Sequence, residues 1–337
     1  MEGRSPWYLA YRRLRRNRVA LAFGAIFVAI VVFVLAAPLW ADHVAHTGPN
    51  ATHTTEKVEV DGEAREVVNL EGKPIEPLFF GAGGEFFLGA DGRLGRDEMV
   101  RLMYGGRVSI FVGLVSTLIA TLLATVLGLL AGYYRGWADA VISRTLDVIW
   151  AFPVTLLAIA LGLSLAVGGL QIGPHDLSGS SIWIPILIIA FVYTPYMARP
   201  IRGAVLALRE REFVEAAVAQ GAGPLRVMFG ELLPNLLSTL IVFFTLGVAN
   251  NMLLESTLSF LGVGVQAPNT SWGTMIGGGF ELISTAPLLT VIPGTMILLT
   301  VLAINVLGDG LRDALDPKSK LRLEAHAGVP EPEGTAV

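Results

Sequence analysis

REREFVEAAVAQGAGPLRVMFGELLPN, residues 209–235, is a charged and sharply punctuated stretch lying between two apolar runs, each long enough to cross a bilayer. A polar segment so placed must meet water or another protein. Phe213, Val214, Ala217 and Val218 recur at helical spacing, while Glu210, Glu212, Glu215 and Gln220 fall mostly elsewhere, which predicts a short amphipathic helix. Gly221 is placed to stop it, since a residue without Cβ takes the left-handed conformation that closes a helix. Gly223-Pro224 then sets the start of a second short helix, expected to end near Pro234. A helix of about twelve residues is marginal alone in water, so this one is expected to gain stability by docking, most simply on another protein.

Working outward, the chain reads as a membrane protein. Of its 337 residues 53% are apolar and 15% charged, and long charge-free runs recur. The net charge of −4 implies no nucleic-acid partner, and the lack of cysteine excludes disulfides and thiolate chemistry. Six windows are long enough to span: residues 19–40, 108–134, 148–174, 177–198, 232–254 and 282–308. The first follows an Arg-rich start and is too long for the core of a secretory signal, so it is read as an anchor. Residues 256–280 are also uncharged, but their glycines, Pro268 and Asn269 make a poor lipid-facing helix; they are read as an external loop or re-entrant segment. The excess of positive charge inside the cell decides between six spans and seven. With six, the N-terminal arginines, Arg135, Arg144, the arginines of residues 199–226, and Arg312 to Arg322 all lie in the cytoplasm, as do both termini and the 209–235 loop.

The resulting expectation is an all-α polytopic membrane protein. Residues 1–18 form a basic cytoplasmic N-terminus, 19–41 the first span, 42–105 an extracytoplasmic loop with an interfacial helix, 106–308 the remaining five spans, and 309–337 a cytoplasmic tail. Within the external loop a hairpin is expected around Asp61-Gly62, and Asp97 lies early in a helix whose later residues include Arg101 and Arg107. Asp42, His43, His46 and His53 are too loosely spaced to be taken as metal ligands. The Pro/Glu-rich tail is expected to be disordered.

Glu215-Ala216-Ala217, three residues, Gly221, nine residues, and then Glu231-Leu232-Leu233-Pro234 resembles the EAA loop of ABC-importer permeases, although that family usually has an apolar residue where Glu231 stands. Four further stretches resemble the dipeptide/oligopeptide (C-type) branch of the same family. They are Leu88-Gly89-Ala90-Asp91 with Leu94-Gly95-Arg96-Asp97 and Arg101 to Arg107, Tyr196 to Gly203, Glu255 to Gly262 with Trp272-Gly273, and Leu307 to Pro317. The family usually has Thr at the position of Ala90. Together these motifs cover residues 88–317, and neither residues 42–87 nor the tail matches anything in the branch.

The resemblance implies a type I importer permease acting as half of a pore. Its implied partners are a second related permease, two cytoplasmic ATPases that bind ATP and magnesium, and an external solute-binding protein. It also implies that Phe213, Glu215, Ala216, Ala217, Gly221, Leu233 and Pro234 form the ATPase-coupling site, with no cofactor held by this chain. The residues agree on the last point, since no GxxxxGK[ST], HExxH or GxSxG sequence occurs, and Leu177-Ser178-Gly179 is too short a match to an ATPase signature to count. Asn250, Asn251 and Glu255, near the outer end of the fifth span, are the candidate substrate-pathway residues; the alternative is helix capping or helix–helix hydrogen bonding. The cargo is read as dipeptide or oligopeptide, with nickel chelates or another small solute as the alternative. From another class, a stand-alone channel or secondary transporter is disfavoured, because no internal repeat and no charge within the windows is seen.

Overall fold

A computed structural model describes residues 6–315 apart from 61–62, 70, 80–82, 93 and 173–174. The expected hairpin tip at Asp61-Gly62 and the tail from residue 316 onward lie outside the described residues. In chain order the elements are α1 (Pro6–Leu14), α2 (Arg18–Leu35), α3 (Ala37–His43), β1 (Lys57–Val60), β2 (Glu63–Glu66), α4 (Glu98–Tyr134), α5 (Gly136–Trp150) and α6 (Val154–Gly168). There follow β3 (Leu170–Ile172), β4 (His175–Leu177), α7 (Trp183–Arg209), α8 (Glu212–Ala219), α9 (Pro224–Arg226), a π-helical segment (Val227–Leu232), α10 (Leu233–Phe260), α11 (Trp272–Phe280) and α12 (Leu288–Leu315).

Among the described residues, five helices are long and apolar enough to cross a membrane: α2, α4, α7, the continuous helix Pro224–Phe260, and α12. The third expected span differs from its window. Instead of one rod over 148–174, α5 and α6 meet at 84° across a short break. Pro153 explains the break, since it has no N–H to donate and disfavours helix in the residue before it. With 15 residues α6 is about 22 Å long, short of a hydrocarbon layer of about 30 Å, so the count reaches six only when the bent pair is taken as one crossing. The first span is likewise interrupted, at Ala36, ahead of Pro38.

Among the described residues, no separate interfacial helix lies between α3 and the second span. Asp97 caps α4, its carboxylate accepting from the Val100 amide at 2.9 Å and the Phe86 amide at 2.8 Å. Burial pushes this carboxyl above the usual range, and these backbone hydrogen bonds oppose the push. From that cap the helix runs unbroken for 37 residues, about 55 Å, so its first turns stand outside the bilayer. The fourth window also became longer, with α7 continuing past residue 198 to Arg209 despite Pro195 and Pro200. Residues 256–280 do not cross. There α10 ends at Phe260, and a Ser271–Thr274 capping box opens the nine-residue α11, too short to span.

Two seams hold the bundle. The small residues Ala120, Ala124 and Gly128 of α4 meet Met197, Ile201 and Val205 of α7, bringing the backbones close together. A second cluster joins Ile30 and Val34 of α2, Val248 and Met252 of α10, Trp272 of α11 and Ile304 of α12. Outside the bundle β1 and β2 pair antiparallel, Val58 opposite Arg65, as the hairpin reading requires. Val58, Val60, Val67 and Phe86 give this external unit a small core of its own. His53 there bridges Thr47 and Glu56, at 2.8 Å on each side.

At Gly128 an added Cβ would lie 2.7 Å from Ile201 Cγ2 and 3.1 Å from the Arg202 amide nitrogen, whereas at Gly203 on the same seam's outer side nothing lies within 4 Å. Gly128→Val therefore destabilises the chain by about 1–3 kcal/mol through overpacking. Gly203→Ala is neutral or stabilising by up to about 1 kcal/mol. Thermal unfolding midpoints of the detergent-solubilised variants test the contrast, and equal midpoints would contradict the close approach.

Candidate coupling site and the seal at the opposite end

The loop of residues 209–235 is carried at one end of the bundle by the extension of α7. Three arginines on that extension tie it to its neighbours. Arg199 Nη2 donates to Asp147 Oδ1 at 2.8 Å and its guanidinium lies over the Trp150 ring. Arg202 grips Asp139 with two parallel bonds, Nη2 to Oδ2 at 2.6 Å, and Arg209 Nη1 donates to the Tyr133 carbonyl, also at 2.6 Å. One step further, Arg135 pairs with Glu210 at 2.6 Å. The helix α5 thus lies strapped along α7 by side chains of opposite charge, and both are anchored to the end of α4. Sequence reasoning counted these arginines for topology and missed their partners. Asp139 and Asp147 stand four turns or fewer from Arg135 and were the available signal.

On this base α8 projects outward. Val214 is its one fully buried residue, packed with Val227, Met228 and Leu232 of the following segment and with Ile201 and Val205 of α7. The inward face is thus narrower than its spacing predicts: Ala217 is half-buried, while Phe213 and Val218 remain exposed, at 38% and 51%. Glu215 and Ala216 also face outward. Gly221 has φ +86°, the left-handed helix stop expected there. The exposed Leu225 and Phe229 extend the apolar surface beyond the turn. Ala217, Gln220, Gly221, Arg226 and Glu231 line an open cavity of about 270 Å³ beside it.

The second short helix does not end at Pro234. Leu233 donates to the Met228 carbonyl, five residues back, so a π-helical turn carries α9 into α10 without a break. A proline following an α-turn would press its ring on the carbonyl four residues earlier. The wider turn relieves that clash and needs no N–H from Pro234. Leu233 is half-buried and Pro234 exposed within this joint.

At the opposite end, the intramembrane candidates sit in packing seams. Asn251 and Glu255 are fully buried, and Asn251 Nδ2 donates to Thr117 Oγ1 at 2.8 Å. Glu255 accepts from Ser259 Oγ at 2.7 Å, while Asn250 bonds the Leu246 carbonyl of its own helix at 3.0 Å. Beside them Trp272 of α11 is fully buried, its amide on Ser109 Oγ and its indole N–H on the Leu102 carbonyl at 2.8 Å. These bonds stitch α4, α10 and α11 together at the end of the bundle away from the loop of residues 209–235.

Residues 124–321 match the family described as "binding-protein-dependent transport system inner membrane component", a region that takes in the projecting loop and its straps. The chain belongs to this family. Residues 5–54 also match the N-terminal TM domain of oligopeptide transport permease C. Among curated relatives, the dipeptide transport system permease protein DppC of Alkalihalophilus pseudofirmus is 37% identical over 317 residues, 94% of this chain and 91% of that one. The glutathione transport system permease protein GsiD of Pectobacterium atrosepticum is 35% identical, over 94% and 93%. A solved chain of the MetNI methionine ABC transporter, in an inward-facing conformation, superposes with TM-score 0.52 and 18% identity, covering 65% of this chain and 97% of that one. The expected ABC-importer permease fold and a multi-pass place in the bacterial inner membrane therefore hold.

The straps define a measurable coupling in this permease. Arg202 and Asp139 are partly exposed, so solvent screens the pair and a double-mutant cycle of Arg202→Ala with Asp139→Ala is expected to give a coupling energy of about 0.5–1 kcal/mol. Additive losses in thermal stability would show that the pair does not hold α5 to α7.

Proposed function

We propose that this permease is half of an ATP-driven pore for dipeptides or oligopeptides, working with a second related permease, two ATPases and an external binding protein. The observation that carries the reading is mechanical: an exposed apolar knob, Phe213, Val218, Leu225 and Phe229, stands around Gly221 on a strapped base. It leads into a continuous 37-residue helix whose far end joins the buried polar knot at Asn251 and Glu255. A displacement of the knob is thereby delivered about 45 Å away, as switching between outward and inward access requires.

The knob is the docking site of an ATPase, which binds the ATP and magnesium that this chain has no phosphate loop to hold. Burying Phe213 in the partner contributes about 1.5–3 kcal/mol, and Glu215, Ala216 and Ala217 complete the contact with Gly221, Leu233 and Pro234 setting its shape. Asn250, Asn251 and Glu255 act by closing helix seams and not by touching cargo. The knob is read as facing the cytoplasm, from the arginine distribution of the sequence. Arg13 Nη1 donates to the Ala314 carbonyl and α12 ends beside the start of α10, which supports placing both described ends of the chain on the knob's side. The names of the dipeptide and glutathione relatives support a peptide cargo.

Gly221→Val, which forces a branched residue into left-handed backbone, and Glu215→Lys are each expected to leave the chain inserted while abolishing ATP-driven peptide uptake and co-purification of the ATPase. Normal uptake by both variants would remove the coupling assignment. Because the chain has no cysteine, a single Val218→Cys variant reports sidedness directly. An impermeant maleimide is expected to reach it only after the membrane is opened, and labelling of intact cells would reverse the topology.

A further inference from the structure

At the end of the bundle opposite the knob, the first turn of α4, the loop before it and α11 enclose a cavity of about 220 Å³. Two of its lining residues are ionisable and almost wholly buried, Glu98 at 2% exposure and Arg101 at 5%. Among the polar atoms around it, the buried Arg101 Nε has no hydrogen-bond partner, and a second gap lies at Glu98. Asp91 takes the Arg96 amide at 2.8 Å and the Arg96 Nε at 2.7 Å, with Arg101 Nε at 3.4 Å. Both oxygens of Asp97 are held by backbone amides, and Arg101 donates to the Pro49 carbonyl at 3.2 Å. The Glu98 carboxylate has neither a hydrogen bond nor an ion pair among the described residues, and it borders the cavity. A buried carboxylate in that position is incomplete without a donor.

The surroundings specify which donor. Asp91, Glu98 and Glu281 line it together with Arg96 and Arg101, and burial pushes the Glu98 carboxyl up to about 8, so its ionised form is disfavoured until a cation stands beside it. Glu98 is the one buried carboxyl of the lining without a partner, which suits a monocation, and no group of three His, Cys, Asp or Glu able to hold a metal occurs among the described residues. The remaining walls include Leu94, Met275 and Leu289, apolar surface that a bare ion would leave unused. We propose that this external cavity binds an organic primary ammonium group, Glu98 accepting its N–H donors and Leu94, Met275 and Leu289 contacting its hydrocarbon part. The same chemistry is offered by a small free amine and by the amino terminus of a short peptide.

The test uses the full-length chain in its assembled complex in lipid nanodiscs, with thermal unfolding followed against butylammonium, Ala-Ala, N-acetyl-Ala-Ala and sodium at matched ionic strength. Butylammonium is expected to raise the midpoint saturably, and sodium to leave it unchanged. Glu98→Gln should weaken the response at least tenfold. Gly278→Met places a side chain in the cavity wall, where a Cβ has no atom within 4 Å, and should abolish the response with Glu98 still present. Arg312→Gln, at the far end of the bundle, should respond like the parent. A response to Ala-Ala but not to its acetylated form supports binding and identifies a peptide amino terminus as the source. A response to butylammonium alone supports it with a small amine as the source. No saturable shift in the parent chain, an equal shift in Glu98→Gln, or an equal effect of sodium overturns the proposal. Uptake is not part of the readout, so that failure leaves the ATPase-coupling assignment standing.

Discussion

The close approach of α4 to α7 governs the rest of the structure. In lipid no hydrophobic force draws two apolar helices together, so they associate through packing, and packing is best where small residues let backbones approach. Ala120, Ala124 and Gly128 provide that on α4, and Ile201 and Val205 fill the space from α7. Because α7 is fixed along this seam, its last turns emerge at a defined place and angle. Everything that gives the knob its position, including Arg199, Arg202 and Arg209, stands on those turns.

The straps add what apolar packing cannot. At the bundle's end the surroundings are wet, and an isolated pair of exposed charges contributes little. Here several pairs act on the same two helices, with a two-pronged guanidinium–carboxylate contact at Arg202 and aromatic rings beneath Arg199 and Arg209. Their shared effect is to hold α5 and the end of α4 to α7 as one base. The exposed helix α8 needs such a base, because with a single buried residue, Val214, it has little packing of its own.

Much of this was legible in the sequence because the bilayer imposes strict rules. Uncharged windows of spanning length and the Gly221 stop each follow from a single physical requirement, and each appears in the fold. What was not legible depended on local chemistry finer than a spanning window or on which side chains meet in the folded bundle. The bend at Pro153 and the extension of α4 back to Asp97 come from local proline and capping chemistry that window-counting averages away. Which apolar residues of α8 face inward could not follow from spacing alone, since Phe213 and Val214 are adjacent and only the position of Val227 and Leu232 selects between them. Asn251 and Glu255 were visible as intramembrane polar groups, but their partners Thr117 and Ser259 were not, and a polar group's role changes with its partner.

The joint at residues 227–234 resolves a conflict that the sequence poses openly. A lever needs an unbroken helix between knob and bundle, yet Pro234 sits at the junction and would end an ordinary one. Had the helix stopped there, the knob would be tethered by a loop, and a push on Phe213 would dissipate in backbone rotation. The π-helical turn removes the conflict by widening the ring of the hydrogen bond, so that Leu233 reaches the Met228 carbonyl and the chain passes the proline still helical. Val227, Met228 and Leu232, all buried, hold that turn against α7 and Val214, which shares the load between the knob and the seam. The weaker geometry of a π turn therefore lies where tertiary contacts are densest around the loop, and the stiffness the lever needs comes from side-chain packing in place of regular backbone bonds.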